Sequence, residues 1–461
     1  MVKSLCLFFL LLSITFAFTQ PVAIHPDNPH YFQYKNKPLV FVTSGEHYGA
    51  VLNLDFDYEK YLGELNSEGL NMTRTFSGVY CEQPGAFNIS SNTLAPGPGK
   101  YITPWARSET PGYKNGGNKF DLSRWDDQYF KRLKNFLNEA ESKNIVVEFT
   151  LFCPFYEDAM WLISPMHPSN NVNSTPDIQR TDVYTLNKNG TLLDIQKALV
   201  KKLVTDLNDF DNIIFEICNE PYFGGVTIEW QHAIADVITD AESTLPKKHL
   251  ISQNIQNAFS LVADAHPSVG VFNWHYAYPP VTVALNYHLN KPIGDNETGF
   301  RGVIDSTYRF EGWRFMMAGG ALFNHLDYSF APGHENGEYR YDTTQPGGGS
   351  DTLRKQLSYL KKFIERFDFI KMKPDSALVA DTSLRWNALS EKGKQYAVYF
   401  IDDKLTNVSL NLPSGKYNAT WIHPLTGKYE KTIAVMSRNN KLVIKVPPHK
   451  EDIALSITDK K

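Results

Sequence analysis

Two glutamates in this sequence have the type and the setting of a catalytic pair. Glu220 closes the apolar run NIIFEICNEP, and Glu297 stands at the apparent end of a later strand, in KPIGDNETGF. Two carboxylates that face each other across a sugar ring, about 5–5.5 Å apart, can cleave a glycosidic bond by double displacement through a covalent glycosyl intermediate. A carboxylic acid in apolar surroundings is also suited to protonate a departing oxygen. The pair therefore predicts a site for glycoside chemistry.

Four polar residues stand at the ends of other apparent strands or beside the glutamates. They are Arg74 in NMTRTF, Asn219, and the adjacent His275 and Tyr276 in FNWHYAYPP. An arginine beside a carboxylate lowers its pKa and fixes its geometry, whereas a neighbouring negative charge raises the pKa of a second carboxylate. The Asn219 amide can bond a sugar hydroxyl next to the reacting carbon. We expect all four residues to line the substrate site.

Five further residues are predicted substrate contacts, from their positions near strand ends or from their type: Glu46, His47, Asn254, Trp274 and Asn324. The Trp274 ring is either a platform for a pyranose or part of the core, because an aromatic face stacks on the apolar face of a sugar as readily as it packs inside. Glu216 shares its parity along the strand with Glu220 and points into the predicted barrel. We expect it to be a buried, paired structural acid.

The elements that must position these residues alternate between short apolar strands and amphipathic helices from about Pro38 to Met372. This alternation is typical of βαβ units around a parallel sheet, and about eight such units predict a (β/α)8 barrel, or TIM barrel, whose active site lies at the carboxyl ends of the strands. The predicted strands are 39–45, 69–76, 144–152, 212–220, 249–254, 269–276, the segment before Glu297, and 319–330.

The pattern changes after about Pro374, where short predicted strands are separated by turns such as SGK, LTGK and RNN. The predicted strands are QYAVYFID, VSLNLP, YNATWIHP, TIAVMS, KLVIKVP and DIALSI. Such a pattern indicates a small antiparallel β-sandwich. We therefore predict a leader over 1–19, a catalytic barrel over 20–372 and a β-sandwich domain over 373–461. No linker rich in Gly, Ser or Pro separates the last two, so the β-domain is expected to pack against the barrel in a structural role.

The ordered set of residues resembles the retaining glycoside hydrolases of clan A, such as the cellulase-like enzymes of family 5. The resemblance covers about 39–330 and rests on Arg74 after strand two, Asn219 and Glu220 after strand four, His275 and Tyr276 after strand six, and Glu297 after strand seven. It implies that Glu220 is the acid/base and Glu297 the nucleophile. It also implies that Arg74 holds the nucleophile in its ionised form, and that His275 and Tyr276 line the subsite between the two glutamates.

The N-terminal segment and the net charge bear on the location of the protein and on its partners. Lys3 precedes an apolar run from Leu5 to Phe18, and this run is shorter than the roughly 20 residues of a membrane span. A basic residue before such a short apolar run is typical of a secretory signal peptide. We expect a secreted or periplasmic protein without a membrane anchor. The net charge of −4 and the absence of long basic runs argue against nucleic acid as a partner.

Cysteine usage and ligand spacing bear on metals and cofactors. Cys81, Cys153 and Cys218 remain after the leader, in an odd number and without the spacing of a zinc site or a disulfide framework. No calcium-loop spacing is present either. We therefore expect no metal and no cofactor, and a monomer whose partner is a plant or algal polysaccharide or an oligosaccharide from it.

Two alternatives remain open on the sequence alone. The histidines and Arg74 could neutralise a uronate carboxylate, which would suit a lyase or dehydratase that eliminates across an acidic oligosaccharide. The protein could also be a non-catalytic carbohydrate-binding protein, although the presence of both glutamates and Arg74 argues against that.

Overall fold

The structure is a computed structural model, and it describes residues 20–460. The predicted leader over 1–19 lies outside these residues. Within 20–460, no helix combines the length and the apolar character needed to cross a membrane. Cys81, Cys153 and Cys218 are free and buried.

Between residue 20 and the start of the C-terminal sheets, the structure has thirteen strands and eight α-helices. In chain order, the strands are β1 (Ala23–Ile24), β2 (Phe32–Tyr34), β3 (Lys37–Leu39), β4 (Phe41–Gly45), β5 (Met72–Phe76), β6 (Trp105–Pro111), β7 (Asn118–Trp125), β8 (Val146–Phe152), β9 (Ile213–Cys218), β10 (Leu250–Asn257), β11 (Val269–His275), β12 (Ile293–Thr298) and β13 (Leu322–Leu326). The helices are α1 (Tyr58–Ser67), α2 (Asp127–Ser142), α3 (Asp158–Trp161), α4 (Leu192–Leu207), α5 (Ile228–Ser243), α6 (Val281–Asn286), α7 (Asp305–Met317) and α8 (Asp351–Ile364).

Eight parallel strands form the barrel, in the order β4-β13-β12-β11-β10-β9-β8-β5. They include all eight predicted strands, and the (β/α)8 fold is confirmed. Side chains join the two end strands of this order. The Asn71 amide donates to the carbonyl of Val40 and accepts from the amide of Val42, and the Thr43 hydroxyl donates to the carbonyl of Met72. These bonds close the barrel between β4 and β5.

The helices that surround the barrel bury one apolar face each. In α2 the buried residues include Phe130, Leu133, Phe136 and Leu137, which recur at the spacing of one helical face. The side chain of Asp126 accepts hydrogen bonds from the first free amides of this helix, as expected of an N-cap. This apolar face packs on the barrel sheet, where α2 contacts β8.

Short sheets lie outside the barrel. Strands β1–β3 form one antiparallel sheet before the barrel, and β6 and β7 form a hairpin in the long segment after β5. This segment and the one between β8 and α4 contain the extra residues that make the barrel longer than average. Both segments follow strands at the carboxyl ends, where the predicted site lies.

The C-terminal part has an antiparallel six-stranded sheet, ordered β14-β15-β16-β21-β18-β19, and a two-stranded sheet of β17 and β20. The strands are β14 (Lys373–Pro374), β15 (Trp386–Glu391), β16 (Gln395–Ile401), β17 (Asn407–Leu410), β18 (Gly415–Ile422), β19 (Ile433–Ser437), β20 (Leu442–Lys445) and β21 (Asp452–Asp459). Both sheets contribute to one apolar core, which includes Phe400 from the larger sheet and Leu410 and Ile444 from the smaller. The predicted sandwich is confirmed, and β14 and β15 were not predicted.

The C-terminal sheet packs against α7 of the barrel. Arg309 on α7 donates from Nε to Asp452 at 3.0 Å, and the hydroxyl of Tyr399 donates to the same carboxylate oxygen at 2.7 Å. The Trp313 ring stacks on Tyr399 with centroids 5.2 Å apart. The division of the chain near residue 372 stays a prediction.

Candidate active site

A cavity of about 400 Å³ lies at the carboxyl ends of the barrel strands. Pockets of this order hold small-molecule ligands in other proteins. Its lining residues come from the ends of most barrel strands and from the loops that follow them: His47, Tyr48, Phe76, Glu82, Phe87, Leu94, Cys153, Tyr156, Asn219, Glu220, Phe223, Asn257, Tyr276, Glu297 and Phe300.

Both predicted catalytic glutamates line this cavity. Glu220 follows β9, and Glu297 is the last residue but one of β12. One oxygen of each carboxylate and a ring nitrogen of His275 all lie within 4.8 Å of one another. The barrel therefore brings together two carboxylates that are distant in the sequence, with a histidine between them.

Glu297 accepts hydrogen bonds on both oxygens. Oε2 accepts from the Tyr48 hydroxyl at 2.9 Å and from Nη1 of Arg74 at 3.2 Å, and Oε1 accepts from the Tyr276 hydroxyl at 2.9 Å. Burial alone would raise the pKa of Glu297, but the charges of His275 and Arg74, with the hydrogen bonds from His275 and Tyr276, hold it well below its ordinary value. This carboxylate is therefore ionised at neutral pH.

Glu220 accepts hydrogen bonds mainly from neutral hydroxyls. The Tyr156 hydroxyl donates to Oε2 at 2.6 Å, and the Tyr222 hydroxyl donates to Oε1 at 3.1 Å. Nδ1 of His275 lies 3.2 Å from Oε1. Within residues 20–460, Glu220 has no arginine partner, whereas Glu297 has Arg74, so the two carboxylates have different electrostatic surroundings.

His275 is fully buried between the two carboxylates, with Nδ1 3.2 Å from Glu220 and 3.3 Å from Glu297. Burial lowers its pKa, but the negative charge of Glu297 and the bonds to both carboxylates raise it to about 10. The three groups are close enough to surround a metal ion. Because Nδ1 lies near an oxygen of each carboxylate, the protonated His275 can donate a hydrogen bond that Glu220 and Glu297 share.

Arg74 lies beneath the cavity and is bound on three sides. Besides Glu297, its guanidinium donates to Glu216 through Nε at 3.0 Å and also through Nη2, and to Oδ1 of Asn219 at 2.7 Å. Asn219 in turn donates to the Tyr156 hydroxyl at 2.8 Å. Glu216 is buried and paired, as its parity predicted, and it holds the arginine in place.

Three residues that contact the carboxylates leave their strands in the left-handed backbone region: Tyr48 (φ 62°), Glu220 (φ 36°) and Tyr276 (φ 54°). Non-glycine residues rarely adopt this conformation. At functional sites, the packing around such a residue compensates for the energetic cost of its conformation. Each of these residues lies within three residues of the end of its strand, and the change of backbone direction places its side chain at the cavity.

Six of the nine predicted substrate contacts are absent from the cavity lining among the described residues. Arg74 and His275 are buried behind the lining and contact the glutamates instead. The other four are Glu46, Asn254, Trp274 and Asn324. Both oxygens of Glu46 accept from backbone amides of the following turn, at Gly49 and Ala50. Burial raises the pKa of this carboxyl to about 7. Glu46 therefore fits a structural role.

The other three are buried in the barrel wall or interior. His275 faces the barrel interior, so the alternation of side chains along β11 turns Trp274 to the outer side of the barrel wall. There its indole donates to Ser260, in the loop after β10, at 3.1 Å. The amide of Asn324 donates to the carbonyl of Asn296 at 3.0 Å, and Asn254 lies beside β11. Contact with a substrate in this cavity is not favoured for any of them.

Several residues of the site were not predicted from the sequence. Tyr48, Tyr156 and Tyr222 donate to the two glutamates, and Glu82 lines the cavity beside His47. Tyr48 directly follows His47 and Tyr222 lies two residues after Glu220, so proximity to the predicted residues is a signal for both. Tyr156 and Glu82 lie in long loops and carry no such signal.

The comparisons with known proteins bear on the fold. No protein-family model matches the sequence, and no curated protein matches it. A candidate glycoside hydrolase from Bacteroides vulgatus is similar in structure, with a TM-score of 0.70, 14% identity, and coverage of 96% of this chain and 83% of its own.

A glycoside hydrolase of family 5 from the same organism has a TM-score of 0.63 and 14% identity, covering 95% of this chain and 93% of its own. An endo-β-1,4-mannanase from Thermotoga petrophila has a TM-score of 0.50 and 12% identity, covering 90% and 98%. At such low identity these likenesses establish architecture alone. The chain has the barrel fold of these glycoside hydrolases.

Proposed function

We propose that the protein hydrolyses glycosidic bonds with retention of anomeric configuration. The observation that carries the proposal is the approach of one oxygen of Glu220 and one of Glu297 to within 4.8 Å across the cavity. Retaining enzymes hold their two carboxyl groups about 5–5.5 Å apart, whereas inverting enzymes separate them by about 6.5–9.5 Å to admit a water. The short separation supports double displacement.

Glu297 is the proposed nucleophile. Its lowered pKa keeps it ionised, and the hydrogen bonds from Arg74 and Tyr276 fix the direction of its oxygens. In the first step, one oxygen of Glu297 bonds to the anomeric carbon as the bond from that carbon to the leaving oxygen breaks. A positioned, ionised carboxylate is what this step requires.

Glu220 is the proposed acid/base. Its proton passes to the leaving oxygen in the first step, and in the second step it takes a proton from the water that attacks the anomeric carbon and releases Glu297. Tyr156 and Tyr222 orient the carboxyl group by donating to its two oxygens. The same residue thus serves both directions of proton transfer.

The charges at the cavity favour hydrolysis over elimination from a uronate. Elimination needs a cation that neutralises the substrate carboxylate. Arg74 is bound to Glu216, Glu297 and Asn219 beneath the cavity. The protonated His275 is held by Glu220 and Glu297, and among the described residues no lysine or arginine lines the cavity. The two glutamates, with His275 in contact with both, likewise support an enzyme over a non-catalytic binding protein.

The location of the enzyme, the source of its substrate and the role of its β-domain are also part of the proposal. The charged start and short apolar run of 1–19 support export and removal of a leader, which gives a secreted or periplasmic enzyme acting on plant or algal polysaccharide. The bonds between Arg309 and Asp452 support a structural role for the β-domain over 373–461. A start near Gln20 in the mature protein, read by N-terminal sequencing, would support the leader.

The test replaces each glutamate by a near-isosteric neutral residue. Glu220→Gln and Glu297→Gln are expected to lose nearly all turnover of a glycan that the wild type cleaves, measured as new reducing ends. Glu229→Gln is the control, because Glu229 is exposed at the start of α5, the helix that follows Glu220. Activity like that of the wild type in either cavity variant would refute the assignment.

Two further readouts separate the mechanisms. Proton NMR of the first product shows whether the anomeric configuration is retained, and inversion would refute double displacement. Ultraviolet absorbance from a new conjugated double bond, without hydrolysis, would establish elimination instead.

A further inference from the structure

A second polar group of the cavity lies apart from the two glutamates and is formed by His47 and Glu82. His47 follows β4, and Glu82 lies in the long segment after β5. Nε2 of His47 is 3.5 Å from Oε2 of Glu82, and both residues line the cavity with Glu220 and Glu297. The pair belongs to the wall of the same cavity, and the reaction proposed above does not use it.

His47 has hydrogen-bonding capacity that the protein leaves unused. The residue is 8% exposed, and neither ring nitrogen has a hydrogen-bond partner among the described residues. Its ring is held between aromatic neighbours, with centroids 5.5 Å from Tyr48 and 5.7 Å from Tyr328. Buried polar atoms are normally paired, so a fixed, unpaired imidazole at a cavity wall is suited to bind a ligand.

Glu82 is held firmly in place. Its Oε1 accepts from the Tyr80 hydroxyl at 3.0 Å, its Oε2 accepts from the Asn92 amide, and its backbone amide donates to the carbonyl of Leu94 at 2.8 Å. A carboxylate oxygen accepts more than one hydrogen bond, so both oxygens can still accept from a ligand hydroxyl. The spacing of His47 and Glu82 matches two neighbouring hydroxyls on one sugar ring.

The charge of the cavity restricts what the pair can bind. Three carboxylates line it, those of Glu82, Glu220 and Glu297, and the only basic side chain among the described lining residues is His47. A uronate would bring a further negative charge close to Glu82 and the ionised Glu297, in a site of low dielectric constant where repulsion between like charges is strong. A neutral sugar carries no such penalty, and its hydroxyls can donate to the carboxylates.

We propose that His47 and Glu82 bind two neighbouring hydroxyl groups of an uncharged sugar ring, the one whose anomeric carbon faces Glu297. This inference rests on the proposed function and adds the substrate class, a neutral glycosyl unit. His47 directly precedes Tyr48, which donates to Glu297, so the pair lies on the side of the cavity next to the nucleophile. Glu82 accepts from one hydroxyl, and a nitrogen of His47 bonds the other.

The first experiment compares aryl glycosides of neutral sugars with the matching uronides, in both anomeric series. The wild type is expected to hydrolyse a neutral glycoside and to prefer it over its uronide. Glu82→Gln keeps the size of the side chain and removes its charge, and it should lower kcat/KM on the neutral substrate by roughly 10–100-fold. His47→Gln should lower it similarly, and the exposed Glu229→Gln should not change it.

The second experiment links the pair to particular hydroxyls. Monodeoxy analogues of the preferred glycoside should lose roughly 10–100-fold in kcat/KM with the wild type at the two positions that are bound. With Glu82→Gln or His47→Gln, removing the hydroxyl that the replaced side chain binds should lower kcat/KM little further, because that hydroxyl has already lost its protein partner. Unchanged losses in both variants, or a preference for the uronide, would overturn the inference while the proposed function stands.

Binding keeps the inference testable if turnover fails. Calorimetric titration of wild-type protein, Glu82→Gln and His47→Gln with the neutral glycosides and the uronides measures recognition without chemistry. Absence of hydrolysis with tight, Glu82-dependent binding of a neutral glycoside would refute the proposed function and support the inference. Binding that neither variant weakens, or no binding of any neutral glycoside, would refute the inference. Thermal unfolding of each variant confirms that it is folded.

Discussion

Two buried arginines of this protein lie in regions with different roles, one beneath the cavity and one at the contact between α7 and the C-terminal sheet. Arg74 lies beneath the cavity and is shared by Glu216 and Glu297, whereas Arg309 lies between α7 and the C-terminal sheet and binds Asp452. Both guanidinium groups are 1% exposed or less as side chains. At the cavity, one carboxylate partner of the arginine faces a space that a ligand can enter; at the junction, Asp452 is fully covered by protein.

The comparison indicates that the same kind of buried ion pair contributes to activity at the cavity and to stability alone at the junction. At the junction, removing a charge leaves a buried carboxylate without a partner, which is a cost in stability alone. At the cavity, the same removal also releases the carboxylate that must be ionised and oriented for reaction. Variants at matched positions can separate the two effects.

The largest expected effect is on activity in Arg74→Met. Without the guanidinium, Glu297 loses a hydrogen bond and the charge that lowers its pKa, so kcat/KM should fall by roughly 10³-fold, the scale of losing one preorganised electrostatic contact. Steady-state kinetics on the preferred glycoside measure this, with the folded fraction determined by circular dichroism. Activity within tenfold of the wild type would mean that the two arginines differ only in location.

Arg309→Met should affect stability instead. We expect a loss of about 3–5 kcal/mol in the free energy of unfolding, because Asp452 would remain buried without its partner. Urea denaturation followed by fluorescence measures the loss. Below the unfolding transition, kcat/KM of the folded variant should equal that of the wild type, and a large drop in it would show that the junction supports the active site.

His275 should make stability at the cavity depend on pH. Its pKa of about 10 exceeds the ordinary 6.5, because Glu297 and Glu220 outweigh the effect of burial. The folded protein therefore holds this proton more tightly than the unfolded chain. The resulting stabilisation is complete below about pH 6.5 and is lost as the pH rises through about 10.

Replacing the imidazole tests this dependence. The difference in unfolding free energy between the wild type and His275→Gln should shrink by roughly 2–4 kcal/mol between pH 6 and pH 10. Urea denaturation at several pH values measures it, with Arg309→Met as a control whose difference from the wild type should stay nearly constant. A constant difference for His275→Gln would show that folding does not raise the pKa of this histidine.

The smallest effect is expected at the rim of the cavity. Phe223 lines it and is 44% exposed, whereas Phe259 is 53% exposed and does not belong to the lining. Phe223→Ala should raise KM by roughly 2–10-fold, equivalent to about 0.5–1.5 kcal/mol of aromatic contact, with little change in kcat. Phe259→Ala is the matched control, and an equal effect in both would indicate a general change at the surface.

The pattern of the sequence predicted most of the fold. Eight apolar strands alternate with helices, and β9, which Glu220 follows, can be predicted because burial on both faces requires a continuous apolar run. In the C-terminal part, β15 was missed because Trp386–Glu391 mixes polar and apolar residues and is only partly buried. Its partner β16, fully buried, was predicted.

What the sequence by itself determined is the set of chemical groups at the strand ends, because in a parallel barrel the last residues of each strand meet at one rim. Only the tertiary structure decided which of them face the cavity. Trp274 and His275 are neighbours on β11 but point to opposite sides of the wall, since side chains alternate along a strand. Glu82 and Tyr156 enter from long loops, whose paths depend on packing between segments far apart in the chain.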